Sequence, residues 1–464
     1  MESRIQALVG YRLSKIQDFT TQTLRRAFPT LRAVRKIIAI LLIIIAFGKV
    51  RAQTNTSAST LSLADAKQIA FEQNWGLLAA KSGVDAAEAQ LIMAKEFPNP
   101  TVSLSTYKIG NQDAGTPRGN GLWERNYDSY VAVSQFFEIA GKRHDRQLAA
   151  RAGVLSAKAR FFDAKRTLDQ GVTKAYAAAL LAGENERNLT QSAGYMRHEA
   201  TIAEAQQAAG DLSEADMKTI EINAEQFELQ AKSAAAAAVQ ARIAVEVLLG
   251  VEHPGGHWTP ADSLAQLVVA AGPAEESSPT NNTDRPDVLA AETDLRAAEA
   301  NLKLQKAERI PDPTFFIGAE HNPPGGGPEV NTFNVGVSFP LPLWNLNGGS
   351  IKAAQAAVDQ SRIALGQIKA QAVADLAGAE SEYDEACQRW LRYRNQTVPE
   401  SAKVREAVEF KYEKGAASLV DLLNAEQTDN TVRLALAQAM NDTAGAAADL
   451  AAARLRLSQT QLNN

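Results

Sequence analysis

The chain repeats itself. Residues Ala86–Thr101, AAEAQLIMAKEFPNPT, return as Ala297–Thr314, AAEANLKLQKAERIPDPT, with the Ala-Ala-Glu-Ala blocks 211 residues apart and the pairs Pro98/Pro100 and Pro311/Pro313 213 apart. SQFFEIAGKR (Ser134–Arg143) aligns with SFPLPLWNLNGGSIK (Ser338–Lys352), which sets Gly141 opposite Gly348. AAGDLSEADMKTIEIN (Ala208–Asn223) aligns with EKGAASLVDLLNAEQ (Glu413–Gln427), which sets Gly210 opposite Gly415. Four ordered anchors at nearly constant offset mark a duplication of a unit of about 200 residues, too long for a solenoid repeat and suited to a pseudo-symmetric architecture.

Both copies show one order of elements. A helix (Leu63–Phe97; Asp287–Arg309) stops at Pro-x-Pro, where the missing N–H and fixed φ forbid continuation. Two short strands follow in each copy, TVSLSTYKI and SYVAVSQFF, then TFFIGAE and NTFNVGVSF, each pair separated by a polar Gly/Pro/Asn loop. In the last strand Phe333, Val335, Val337 and Phe339 alternate with Thr332, Asn334, Gly336 and Ser338, giving one apolar and one polar face. Long helical runs begin at Gly141 and Gly349 and reach about Leu181 and about Arg394, and a second helical pair turns at Gly210 and again at Gly415. A 40-residue helix is about 60 Å long, so these elements cannot all sit in one globule. Ala-rich faces such as SAAAAAVQARIAVEV allow close, coiled-coil-style packing. Residues His253 to Asp284, with Pro254, Gly255-Gly256, Pro260, Pro273 and Pro279, read as the linker between copies.

The N-terminus carries ten Lys/Arg and two Asp/Glu in residues 1–52, and an apolar run, Ile37–Phe47, precedes the small residue Ala52. This reads as a cleaved export signal ending near Ala52. The alternative is a membrane anchor, for which the run is short. No Cys follows the run, so no lipid anchor is expected there. Removal of 1–52 takes the formal charge from −5 to −13, a balance that disfavours nucleic acid as a partner. The expected domains are a signal peptide (1–52), a first repeat (53–250), a linker or equatorial segment (251–284), a second repeat (285–458) and a polar tail (459–464).

Four alternating strands in an exported chain pose an accounting problem. Their edges would leave N–H and C=O groups unpaired at several kcal/mol each in lipid. A transmembrane barrel needs at least about eight strands, so one chain cannot close one; two copies would give eight strands and three would give twelve. The alternative is a small soluble sheet packed on the helices.

Taken with their order and duplication, LSLADAKQIAFEQN (Leu61–Asn74), FPNPTVSLS, VSQFFEIAGKR, AAGDLSEAD, IPDPTF, VSFPLPLWNLNGG and YEKGAASLVDLLNAEQT resemble the outer-membrane efflux family of TolC-like proteins. Within it, EIAGKR and PLPLWNLNGG resemble the CzcC/CusC-type components of heavy-metal tripartite pumps. The resemblance implies a mainly α fold with a small β part: a long α-helical periplasmic barrel plus four strands per chain contributing to a trimeric 12-stranded transmembrane β-barrel in the outer membrane. It implies a homotrimer docked onto a periplasmic adaptor and an inner-membrane transporter. It also implies a passive exit duct without cofactor or catalysis, for metal cations, or alternatively for drugs or secreted proteins. The rival of another class is a periplasmic adaptor or structural coiled-coil protein, which would show one hairpin and soluble β-domains.

By the same resemblance the turns at Gly210 and Gly415 form the periplasmic tip. Asp421 matches a lumen-facing acidic ring, Asn424 a second and often acidic position, and Tyr412 and Asp216 a closed-state contact between helical pairs. Ala417 stands where a gating Arg can occur. A ring of carboxylates in a narrow throat attracts cations; alternatively Asp421 is a solvated residue at a helix N-terminus. Pro98, Pro100, Gly141, Pro311, Pro313 and Gly348 mark strand–helix junctions, where Lys142-Arg143 is expected to anchor rather than bind substrate. The histidines (His144, His198, His253, His257, His321) are scattered; His253-Pro-Gly-Gly-His257 reads as a solvated loop rather than a zinc site. Cys387, the single cysteine, lies in a helical stretch and reads as a packing residue. No hydrolase, phosphate-loop or metalloprotease motif is present.

Overall fold

The computed structural model describes residues 60–107, 128–270, 284–322 and 330–457. The expected signal peptide, the polar tail and the end of the first strand at Lys108–Ile109 lie outside them.

Strand β1 (Thr60–Leu61) leads into α1 (Leu63–Gln73), which opens on a capping box: Asp65 N–H donates to Ser62 Oγ at 3.1 Å and the Asp65 carboxylate reaches back to Ser62 N–H. The expected single helix from Leu63 to Phe97 is two helices. Asn74 leaves helical geometry at ψ 124°, accepts from Leu77 N–H at 3.0 Å and donates to Leu248 O at 2.9 Å. It thereby ends one helix and starts α2 (Trp75–Lys95). Strands β2 (Thr101–Tyr107) and β3 (Asp128–Phe136) follow. The long run after Gly141 does not stop near Leu181; α3 is unbroken over Lys142–Ala209, roughly 100 Å at the α-helical rise. It returns through α4 (Glu214–Leu249).

The described part of the segment between the copies is structured. There, β4 (Thr259–Pro260) pairs in parallel with β1, and α5 (Leu264–Ala270) packs into the main core. The second copy comprises α6 (Pro286–Ala307), β5 (Thr314–Asn322), β6 (Val330–Ser338), α7 (Gly348–Arg392), α8 (Val398–Glu413) and α9 (Leu419–Arg454). Pro399, near the start of α8, lacks an N–H and would crowd the preceding turn. The chain absorbs it as one π-helical turn at Tyr393–Thr397 instead of breaking.

The largest core cluster surrounds Tyr176, which is fully buried, stacks on Trp258 with centroids 5.7 Å apart, and donates to Leu61 O at 2.8 Å and to Asp262 Oδ2 at 3.0 Å. Away from it the helices meet on alanines (Ala159, Ala203, Ala238, Ala437), which lets backbones approach closely. Helix α3 is the common spine, touching α2, α4, α6 and α9. Polar stitches tie it to the second copy: Ser156 and Arg160 to Asp294, Gln170 and Lys174 to Asp449. The four longer strands form one antiparallel sheet, β2-β3-β5-β6, with copy one and copy two joined at β3–β5.

Candidate functional site

The sheet sorts its side chains by the strand period. On one face Val102, Leu104, Phe315, Ile317, Phe333 and Val335 stand exposed, although each would be buried in a water-soluble sandwich. On the other lie Ser103, Ser105, Ser134, Glu320, Thr332 and Asn334. Gly318 and Gly336 are glycines because a Cβ would strike the Tyr130 and Phe316 rings that cross over them. Both outer strands, β2 and β6, have an unpaired edge among the described residues. No described helix is long and apolar enough to cross a membrane.

The junctions between sheet and helices carry the residues expected there. Pro98 O accepts from Gln135 Nε2 at 2.9 Å, Thr101 opens β2 directly after Pro100, and Pro313 O accepts from Phe137 N–H at 3.0 Å. Ala140 and Gly141 turn the chain with φ 58° and 77°. Gly348 does not play the matching part: Asn347 takes the left-handed turn at φ 57° and Gly348 begins the helix. Asn is one of the few residues besides Gly that enters that region readily, and here its amide is held from α6, donating to Gln305 O at 2.8 Å.

Lys142, buried, donates to Ile310 O at 2.5 Å and to Asp312 Oδ2 at 2.6 Å, while Asp312 Oδ1 accepts from Ile139 N–H at 2.9 Å. Arg143 stacks 3.8 Å over Phe97 and donates to Lys95 O. Both basic residues therefore anchor the junction. Asp312, between Pro311 and Pro313, is the partner that sequence reasoning missed.

At the far end of the helices, Gly210 (φ 84°) and Gly415 (φ 70°) close two hairpins in the left-handed geometry that favours glycine. Three residues on, each hairpin repeats one device. Ser213 Oγ accepts from Asp216 N–H at 3.1 Å and Ser418 Oγ from Asp421 N–H at 3.2 Å, and each hydroxyl donates to that aspartate's carboxylate at 2.7 Å. The signal was in the sequence as Gly-x-x-Ser-x-x-Asp at 210–216 and 415–421. Asp421 is exposed, and the Ser418 hydroxyl and N–H hold its carboxyl below the usual range. Asp421 is therefore a helix-capping residue with an exposed carboxylate.

Asp421, Asn424 and Ala417 line one groove between α8 and α9, with Lys411 on its opposite side. Tyr412 is brought to the other hairpin: burial, then the negative charges of Glu199 and Asp216, push its hydroxyl pKa up. An apolar knot of Met196, Ile220, Leu212, Met217, Leu419 and Leu423 joins the two hairpins.

Behind the tip lies a partly buried charge network, centred on the buried Asp429, that the sequence did not disclose. Arg405 contacts Glu409 at 3.0 Å, Glu426 at 3.3 Å and Asp429 at 3.8 Å; Asp429 also accepts from Arg433 Nε at 2.6 Å and from Ser401 Oγ at 2.7 Å. Burial pushes the Glu426 carboxyl up against the opposing pull of Arg405.

The His253–His257 loop is clamped rather than free, since Glu246 Oε2 accepts from Gly255 and Gly256 N–H at 2.6 and 2.8 Å and Arg242 Nε donates to Gly256 O at 2.9 Å. Among the described residues no His/Cys/Asp/Glu group has metal-binding geometry. Cys387 packs beside Tyr383 and Ala386.

The family model described as outer membrane efflux protein matches residues 47–251 and 282–454. The cobalt-zinc-cadmium resistance protein CzcC of Cupriavidus metallidurans is 23% identical over 373 residues, covering 80% of this chain and 84% of that protein. Among solved structures, the outer-membrane channel OprN superposes with a TM-score of 0.70 at 19% identity, covering 84% of this chain and 89% of that one. CusC, described as forming a transmembrane channel, superposes with a TM-score of 0.69 at 17% identity, covering 86% and 95%.

Proposed function

This chain belongs to the outer membrane efflux protein family, and we propose that it works as the homotrimeric exit duct of a tripartite pump for heavy-metal cations, gated at its helical tip. It is a channel and not an enzyme. The observation that carries the trimeric reading is the four-stranded sheet, apolar on one face and polar on the other, with both edges open. Unpaired backbone groups are costly in hydrocarbon, and three such sheets edge to edge supply a closed wall. Exposed apolar side chains along the helices, among them Leu229, Ile363, Val404 and Phe410, support the same assembly because solvent is a poor neighbour for them.

Likeness to CzcC, whose name records resistance to cobalt, zinc and cadmium, supports a metal-cation substrate. The exposed carboxylate of Asp421, repeated three times round a narrow tip, would favour cations electrostatically. Energy and substrate choice are assigned to an inner-membrane transporter reached through a periplasmic adaptor. Cell fractionation with heated and unheated gel samples tests the assembly: a heat-labile outer-membrane trimer is expected, and a soluble periplasmic monomer would refute it. For the substrate, a deletion strain is exposed in parallel to zinc, cobalt, cadmium, copper and hydrophobic drugs. Hypersensitivity to drugs alone would overturn the metal assignment.

A further inference from the structure

The duplicated chain contains a worked example of the seam its own open edges lack. Within the sheet, Thr101 pairs with Ser134 and Thr314 pairs with Ser338. These pairs superpose one copy on the other, Thr101 on Thr314 and Ser134 on Ser338. The copies meet where β3 joins β5, with Ser134 opposite Phe316. Moving that join by one copy carries Ser134 to Ser338 and Phe316, two residues past Thr314, to Ser103, two residues past Thr101.

We propose, on the trimeric reading above, that β6 of one copy pairs with β2 of the next with Ser338 opposite the neighbouring copy's Ser103, sealed by an apolar clasp, Phe339–Leu346, in place of an ion pair. Two further facts fit this register. The bond from Phe137 N–H to Pro313 O shows that the odd-numbered residues of β3 turn their backbone groups toward β5. Alternation across the sheet then aims the groups of Val335, Val337 and Phe339 at one open edge and those of Val102, Leu104 and Thr106 at the other. In the proposed register these meet, and their side chains, Val337 with Leu104 and Phe339 with Val102, fall on the apolar face. A slip of one residue would mismatch both backbone groups and faces. Pro340 is tolerated because its missing N–H does not face the open edge.

The clasp follows from what the second seam lacks. At the internal seam the buried pair Lys142–Asp312 locks the junction. The matching residues at the outer seam are Gly348, which opens α7 as Lys142 opens α3, and Asn99, neither charged. Instead the connection from strand to helix is longer and carries Leu341, Leu343, Trp344 and Leu346, all exposed, Trp344 at 93%. Across the proposed seam stands the end of α2, where Met93 and Phe97 are exposed as well. Apolar surface on both sides of an open edge suits a second copy of this chain.

Directly opposed residues in a non-hydrogen-bonded pair lie about 4.5 Å apart at Cα, within disulfide reach, whereas those offset by two residues lie about 7–8 Å apart and fall outside it. In a Cys387→Ala background, Ser103→Cys/Ser338→Cys should therefore oxidise in the outer membrane to covalent dimers and trimers. Yield should be about tenfold above Ser105→Cys/Ser338→Cys. Faster linking of the offset pair, or no linking in either pair while the parent still runs as an unheated trimer, overturns the register but leaves the channel reading intact. A monomeric parent defeats both. Trp344→Ser should lower the temperature at which the unheated trimer dissociates; an unchanged temperature would place Trp344 against lipid and remove the clasp.

Discussion

Replacing Lys142 by Met tests whether the strand–helix junction depends on its buried charge. The Lys142 and Asp312 side chains are 7% and 12% exposed and 2.6 Å apart, so solvent screens them little. Without the ammonium, the Asp312 carboxylate keeps only the Ile139 N–H at 2.9 Å, and Ile310 O loses its 2.5 Å donor. Breaking a buried pair from one side costs about 3–5 kcal/mol, and an unsatisfied buried carbonyl costs about 1–3 kcal/mol, partly the same loss. Adding Asp312→Asn removes the stranded charge while its amide oxygen still accepts from Ile139 N–H; the first copy already has Asn99 there. The double variant should therefore recover most of the loss, to within about 1–2 kcal/mol of the parent. Thermal and urea unfolding of the detergent-solubilised protein, all variants at one protein concentration, gives the cycle. A single variant costing under about 1 kcal/mol, or a double variant losing the sum of both singles, would refute the reasoning.

Four further outcomes follow from the same contacts. Ser418→Ala should cost about 0.5–2 kcal/mol and raise amide exchange at the start of α9, whereas Ser418→Thr, retaining the hydroxyl, should not. Asp421→Asn keeps an acceptor for the Ser418 cap but removes the charge, so planar-bilayer recordings should show weaker cation selectivity with exchange at the tip little changed; unchanged selectivity would leave Asp421 with its capping part alone. Burial raises the Glu426 carboxyl above its unfolded value against Arg405, beside Glu409, Asp429 and Arg433. Its stabilising contribution is therefore complete below the unfolded pKa of about 4.3 and is lost as pH rises through the folded value. Glu426→Gln should accordingly flatten the pH dependence of α8–α9 protection, measured by amide exchange between pH 4 and 8. Tyr176→Phe should cost about 0.5–1.5 kcal/mol, read as a lower unfolding midpoint, because Leu61 O keeps the Ala261 N–H at 2.9 Å and Asp262 keeps the Leu63 N–H at 2.8 Å, so that only the hydroxyl's own hydrogen bond is lost.

As far as they are described, the strands were legible to within two residues because of period-two alternation, with a proline just before β2 and β5 and just after β5 and β6. Lys142-Arg143 was legible as an anchor because two cations directly after a strand turn have nowhere else useful to go. Their partners were not, since Asp312 lies 170 residues away. The break at Asn74 was hidden for the same reason; an asparagine inside a helical pattern becomes a cap only when Leu248 O is brought beside it. Helix α3 runs past Leu181 because Gly183 and Gly194 weaken a helix without ending one, and neither is followed by a cap. Asn347 took the turn expected of Gly348 because offsets drift within a duplication, and the inserted residues between β6 and α7 shift the turn by one. Ring-facing residues at the tip resist reading from one chain, since a ring is a property of copies.

The distribution of strong contacts argues for where the assembled molecule yields. Near the sheet, the protomer is locked by a buried ion pair, the Phe137–Phe315 edge contact and ladder hydrogen bonds. Around Tyr176 it is locked by its largest apolar cluster. At the tip the two hairpins share a small apolar knot and the neighbourhood of Tyr412 with Asp216 and Glu199, and further back the Arg405 guanidinium over the Tyr195 ring and the hydrogen bond from Ser192 Oγ to Asn430 Oδ1 at 3.2 Å, while Arg405, Glu426 and Asp429 bind α8 to α9 within one hairpin. A force that separates the hairpins therefore meets less resistance between them than within each. The expected motion is each pair swinging as a unit, with least stability where contact between pairs is thinnest. On the trimeric assembly proposed above, in which the sheets close into a wall at the other end, the tip is the part expected to open without unmaking that wall.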